Sequence, residues 1–117
     1  DNPQSGSTSS AASPALRCIY EAGIRGLIYY EASSLAGQLQ PDDTLRLQPE
    51  PLNCYDCYAI EVFWGNHKLG YIPRDENKAL AGLIEAGFSL HARISAIEPE
   101  DYEWVRVEVA MQPPHEA

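Results

Sequence analysis

Apolar residues recur at every second position in three stretches of this chain and at helical spacing in one, and that contrast sets the expected architecture. Over residues 44–48, Leu45 and Leu47 share a face before Pro49 and Pro51 break the run into a loop. Residues 58–64 alternate again, with Ile60 and Val62 on one side, and Gly65-Asn66 is a two-residue turn signal ahead of residues 67–72, so a hairpin is expected there. Over residues 104–111, Val105, Val107, Val109 and Met111 line one face, and residues 88–97 form the strand before it, across the acidic turn 98–103. Leu80, Leu83 and Ile84 repeat at helical spacing instead; Pro73 precedes them, Asp75 is the expected N-cap and Gly87 the stop. Near the start, residues 16–20 and 27–30 read as two pieces of one long first strand bent at Gly23 and Gly26, and residues 32–39 as a helical turn. Six strands with one main helix after the fourth, and turn signals at short spacing, predict a mainly β fold closed into a six-stranded OB-like barrel.

The flanks differ from this middle. Residues 1–15 are Ser, Ala, Pro and Gly without an apolar period and read as a flexible leader; residues 112–117, with Pro113 and Pro114, read as a short flexible tail, leaving one domain over 16–111. Seventeen acidic against eight basic residues give a net charge of −9, which repels polyphosphate at long range and argues against tight, sequence-blind binding to duplex nucleic acid. No run approaches the roughly twenty apolar residues that cross a bilayer, so a soluble chain with no membrane partner is expected. The sequence lacks an initiator Met and reads as trimmed at its start, which leaves the compartment open between the cytoplasm and, after removal of a signal peptide, the periplasm.

Cys54-Tyr55-Asp56-Cys57 has the spacing of zinc and thiol redox motifs, but a structural zinc site needs four ligands, and Cys18, His67 and His91 are scattered singly along expected strands. A thioredoxin-type motif opens a helix in a βαβ setting, whereas this one sits in a loop. Neither a metal nor a cofactor is expected. The chain has no G-x-S-x-G elbow, P-loop or dinucleotide fingerprint, and Glu100-Asp101 lies in a solvated acidic turn, so no enzyme is expected. What remains is aromatic: Tyr29 and Tyr30 at the end of the first strand, Tyr55 and Asp56 in the second loop, and Tyr71 with Arg74 at the junction of hairpin and helix. Rings that stack on bases, a cation for phosphate and a carboxylate that accepts a hydroxyl proton suit a single-stranded end. The ordinary explanation, that Tyr fits a half-buried pleated surface, stands beside it.

Three blocks stand out: Tyr29-Tyr30, then Glu50-Pro51-Leu52-Asn53-Cys54-Tyr55-Asp56 continued by Ala59-Ile60, then Lys68-Leu69-Gly70-Tyr71-Ile72-Pro73-Arg74 followed by Asn77, Leu80 and Glu85-Ala86-Gly87. Together they resemble the HIRAN domain family, in the manner of a stand-alone bacterial-type member. The resemblance implies an OB-like barrel and, as in helicase-linked members, capture of the 3′-hydroxyl end of single-stranded DNA. It implies stacking of Tyr29 and Tyr55 on terminal bases, a grip of Asp56 on the 3′-hydroxyl, and support from Asn53 and Arg74 for nucleotide and phosphate contacts. Cys54 stands where the family usually has Pro, Tyr58 where Asn is common, and Ile28 where DNA-binding members carry a basic residue. With the acidic charge, these departures set an expectation of weak or absent DNA affinity. The alternative is a protein-interaction or structural module that keeps the fold without binding DNA.

Overall fold

The computed structural model describes residues 16–112; the expected leader over 1–15 and the tail beyond Gln112 lie outside the described residues. Six strands and one α-helix follow in order: β1 (Arg17–Gly23), β2 (Thr44–Pro49), β3 (Ile60–Trp64), β4 (His67–Tyr71), α1 (Arg74–Glu85), β5 (Ser89–Ile97) and β6 (Val105–Gln112). All neighbouring strands are antiparallel, in the sheet order β1-β6-β5-β2-β3-β4.

The alternation read from the sequence is the alternation that is buried. Ile60 and Val62 on β3, and Val105, Val107 and Val109 on β6, are fully enclosed, and Leu45, Leu69, Ile94, Ile72 and Leu80 are buried in the same core. Each such side chain contributes roughly 1.5–3 kcal/mol through burial, so shifting one of these strands by one residue would lose several of these contributions at once. Trp64 pairs with His67 across the Gly65-Asn66 turn, as the hairpin reading requires. Helix α1 buries Asn77 and Leu80, half-buries Ala81, Leu83 and Ile84, and ends where the amides of Gly87 and Phe88 donate back to the carbonyls of Ile84 and Leu83.

Three expectations change. Residues 27–30 are not strand: Leu27–Tyr29 is a 3₁₀ turn, followed by a second over Ala32–Leu35 within the helical segment the sequence indicated. Gly26 takes φ 81°, a left-handed conformation that diverts the chain, and its carbonyl accepts the Tyr29 amide at 2.9 Å. Asp75 is not the N-cap; Pro73 holds that position, and Asp75 with Glu76 lies in the first turn, where negative charge meets the helix N-terminus favourably.

The sheet, finally, is not closed into a barrel. Past the end of β1, Arg25 bridges to β4, exchanging two backbone hydrogen bonds of 2.9 Å with Tyr71, and the turn at Gly26 stops the ladder there. Even this bridge depends on Gly70, because a side chain there would overlap the Arg25 carbonyl and press on Ile24. On the far side, β2 and β5 share only Thr44–Arg93 and Leu45–Ala92 before they fork. The fold places the bridge, the first 3₁₀ turn and the loop between β2 and β3 around one end of the sheet.

Candidate functional site

The loop over 50–59 is built by two polar side chains that fold back on their own backbone. Asn53 Oδ1 accepts the amides of Tyr55 at 2.8 Å and Asp56 at 3.1 Å, while its Nδ2 donates to Glu50 Oε1 at 2.9 Å. Asp56 Oδ1 accepts the Tyr58 amide at 2.9 Å. These bonds hold Tyr55 outward, 88% exposed, while the Asp56 carboxylate turns inward and is mostly covered.

Asp56 Oδ2 accepts Asn77 Nδ2 at 2.8 Å, and Arg74 Nε lies 3.4 Å away. The Tyr58 amide, then the Asn77 amide group and the Arg74 charge, outweigh the cost of burial and hold the Asp56 carboxyl below its ordinary range. The carboxylate is therefore ionised at neutral pH, with Oδ1 still able to accept a further hydrogen bond.

Opposite this loop stand Tyr29, 75% exposed, and Tyr30, tilted at 58° to Tyr71 with ring centroids 6.0 Å apart. The Tyr71 hydroxyl donates to Glu50 Oε1 at 3.1 Å and accepts from Lys68 Nζ at 2.8 Å; burial first, then Glu50, raises its pKa against the opposing pull of Lys68. Burial works against the Glu50 charge, yet donation from Asn53 and Tyr71 keeps its carboxyl below the ordinary range.

Between the two walls lies a cavity of about 590 Å³. Tyr29, Tyr30, Asn53, Tyr55, Asp56, Tyr71 and Arg74 all line it, so the structure brings together every site residue expected from the sequence. It also adds residues absent from that set. Asn77 is 3% exposed and anchors Asp56; an amide three positions before Leu80, on the apolar face of a helix, was the signal for it. Arg25 lines the rim and pairs with Glu103, a contact that no local pattern announces. Glu50 and Lys68 lie in the quoted sequence blocks, and only the fold shows them joined through Tyr71.

Cys54 and Cys57 are exposed free thiols on either side of Tyr55 and Asp56. Among the described residues, no three His, Cys, Asp or Glu side chains gather as a metal site, and no helix is long and apolar enough to cross a membrane.

A small antiparallel sheet with one helix after its fourth strand, carrying its polar and aromatic cluster on the loops at one end, has the architecture of an OB-like domain. More narrowly, the chain belongs to the HIRAN domain family, whose sequence pattern matches residues 19–112. Among solved structures, a protein from Lactobacillus plantarum superimposes with a TM-score of 0.74 at 24% identity, covering 86% of this chain and 99% of that one. The HIRAN domain of human HLTF superimposes with a TM-score of 0.68 at 19% identity, covering 89% of this chain and 83% of that one. At these identities the likeness is one of fold. No curated protein sequence matches the chain.

Proposed function

We propose that this domain is a non-catalytic module that binds single-stranded DNA and captures its 3′-hydroxyl end. The observation that carries the reading is the convergence of exposed Tyr29 and Tyr55 with an ionised, mostly covered Asp56 around one cavity. Each base stacked on an exposed ring contributes roughly 1–3 kcal/mol, whatever its sequence. Arg74, with 77% of its side chain exposed, and Arg25 at the rim supply positive charge for backbone phosphates. Asp56 supplies the choice of terminus: an anionic acceptor takes a hydrogen bond from a free hydroxyl and repels a terminal phosphate.

The module does this against a net charge of −9, so affinity comes from rings and a few local contacts, not from a basic field. The test is fluorescence anisotropy with short oligonucleotides that end in a 3′-hydroxyl or a 3′-phosphate. Tighter binding of the hydroxyl end, by roughly tenfold or more, is expected. Equal binding of both ends, or a preference that survives Asp56→Ala, contradicts the reading. Absence of DNA binding together with recovery of a stoichiometric protein partner would favour a protein-interaction module on the same fold.

A further inference from the structure

We infer that Lys68 is a positioning residue that fixes the two walls of the cavity relative to each other, acting through Tyr30, Tyr71 and Glu50 and not on DNA itself. Its DNA readout rests on the end-binding reading above; its structural readout does not. A lysine beside a candidate DNA site invites assignment as a phosphate ligand, but the Lys68 ammonium is already engaged. Nζ lies 2.8 Å from the Tyr71 hydroxyl and 3.0 Å from Glu61 Oε2, and sits 4.4 and 4.3 Å from the ring centroids of Tyr30 and Tyr71. An ammonium has three donors, and these partners use the directions available to it. The side chain is 21% exposed, its partner Glu61 14%, and the cavity lining runs through Tyr30 and Tyr71 without including Lys68.

From this cation a continuous path leads to the opposite wall. Tyr71 donates to Glu50 Oε1, the same oxygen accepts from Asn53, and Asn53 in turn holds the amides of Tyr55 and Asp56. On the near side, the Glu31 amide bonds to the Lys68 carbonyl at 3.3 Å, tying the segment after Tyr30 to the same residue. Removing the charge leaves Tyr30 without its cation and strands Glu61 as a largely covered carboxylate without its partner. Both walls then lose a shared reference point.

The experiment compares the full chain with Lys68→Met, first without DNA by amide NMR and then by anisotropy with a 3′-hydroxyl oligonucleotide over a range of salt. The Tyr55 and Asp56 amide resonances should move in Lys68→Met, and binding should weaken roughly tenfold as two cation–π contacts cease to fix the rings. The slope of log K against log salt should stay as in the wild type, and Lys68→Arg should restore most of the affinity. A slope shallower by about one marks a lost phosphate contact and overturns the inference. So does unchanged affinity in a wild type that binds, or a Lys68→Met spectrum in which the two amides stay put. A wild type that binds no DNA while Lys68→Met moves the amides refutes the end-binding reading and leaves the positioning role standing. If Lys68→Met fails to fold, Tyr71→Phe, which removes only the hydroxyl link to Glu50, carries the NMR test: movement of the same amides supports the role, and their constancy overturns it.

Discussion

Two concavities among the described residues invite comparison, and the larger is chemically the plainer. Where β2 and β5 fork, a groove of about 700 Å³ is lined by half-buried Leu47, Ile84, Phe88 and Leu90, and its Arg93 is paired with Glu108 on the neighbouring strand at 3.0 Å. The smaller cavity, about 590 Å³, gathers side chains from the first 3₁₀ turn, the loop over 50–59, β4 and α1, and the Tyr58 amide and Asn77 both donate to its Asp56 carboxylate. Volume follows from where strands part. A site needs groups from several elements aimed at one point, and only the smaller concavity has them.

That difference can be broken in several ways. The largest effect is expected from Gly70→Ala, which forces the Arg25 segment off β4 and should cost about 1–3 kcal/mol of stability by overpacking, read as a lowered Tm. Because the bridge forms one rim of the cavity, DNA binding should fall with it, whereas the fork on the far side should keep its shape. Tyr55→Ala should leave Tm close to that of the wild type and weaken oligonucleotide binding by about 1–3 kcal/mol, while Leu90→Ala in the groove should leave binding unchanged. Loss of binding in Leu90→Ala with Tyr55→Ala intact would exchange the roles of the two regions.

A smaller effect belongs to Asn77→Ala, which removes a buried donor to Asp56 and should lower stability by about 1 kcal/mol, with a reduced preference for the hydroxyl end in the same anisotropy assay. The smallest effect is expected from pH. Asp56 titrates below its ordinary value of 3.8 in the folded chain, so its contribution is present above that value and is lost as pH falls through the lowered one. Affinity for the hydroxyl-ended oligonucleotide should therefore be flat from about pH 7.5 to about pH 5 and weaken only below about pH 4. A titration of that affinity near neutrality would assign the grip on the hydroxyl to another group.

Much of this was legible before any coordinates, and the reasons are local. Alternation at Ile60 and Val62 and at Val105, Val107 and Val109 survives because one face of each strand is enclosed, and Gly65-Asn66 can do little but turn a hairpin. The Leu27–Tyr29 segment was illegible because a short apolar run suits a strand or a helical turn equally, and the left-handed Gly26 decides between them. Barrel closure was illegible for a different reason: it depends on contacts between residues far apart in sequence, and among the described residues one isolated bridge, Arg25 to Tyr71, links the end of β1 to β4. At the site, residue types and motif order pointed to seven of the residues that line the cavity. The internal occupation of Lys68 could be seen only once β3, β4 and the segment after the first 3₁₀ turn were packed together.

The most direct test of the central claim is an amide NMR titration of the full chain with a short single-stranded oligonucleotide ending in a free 3′-hydroxyl. Resonances of residues 29–30, 53–56 and 71–77 should shift together and saturate, with residues 45–49 and 88–93 unmoved, and a 3′-phosphate should abolish most of the response. Shifts centred on the fork between β2 and β5, or an equal response to both ends, would contradict the assignment of the tyrosine-lined cavity as a reader of DNA ends.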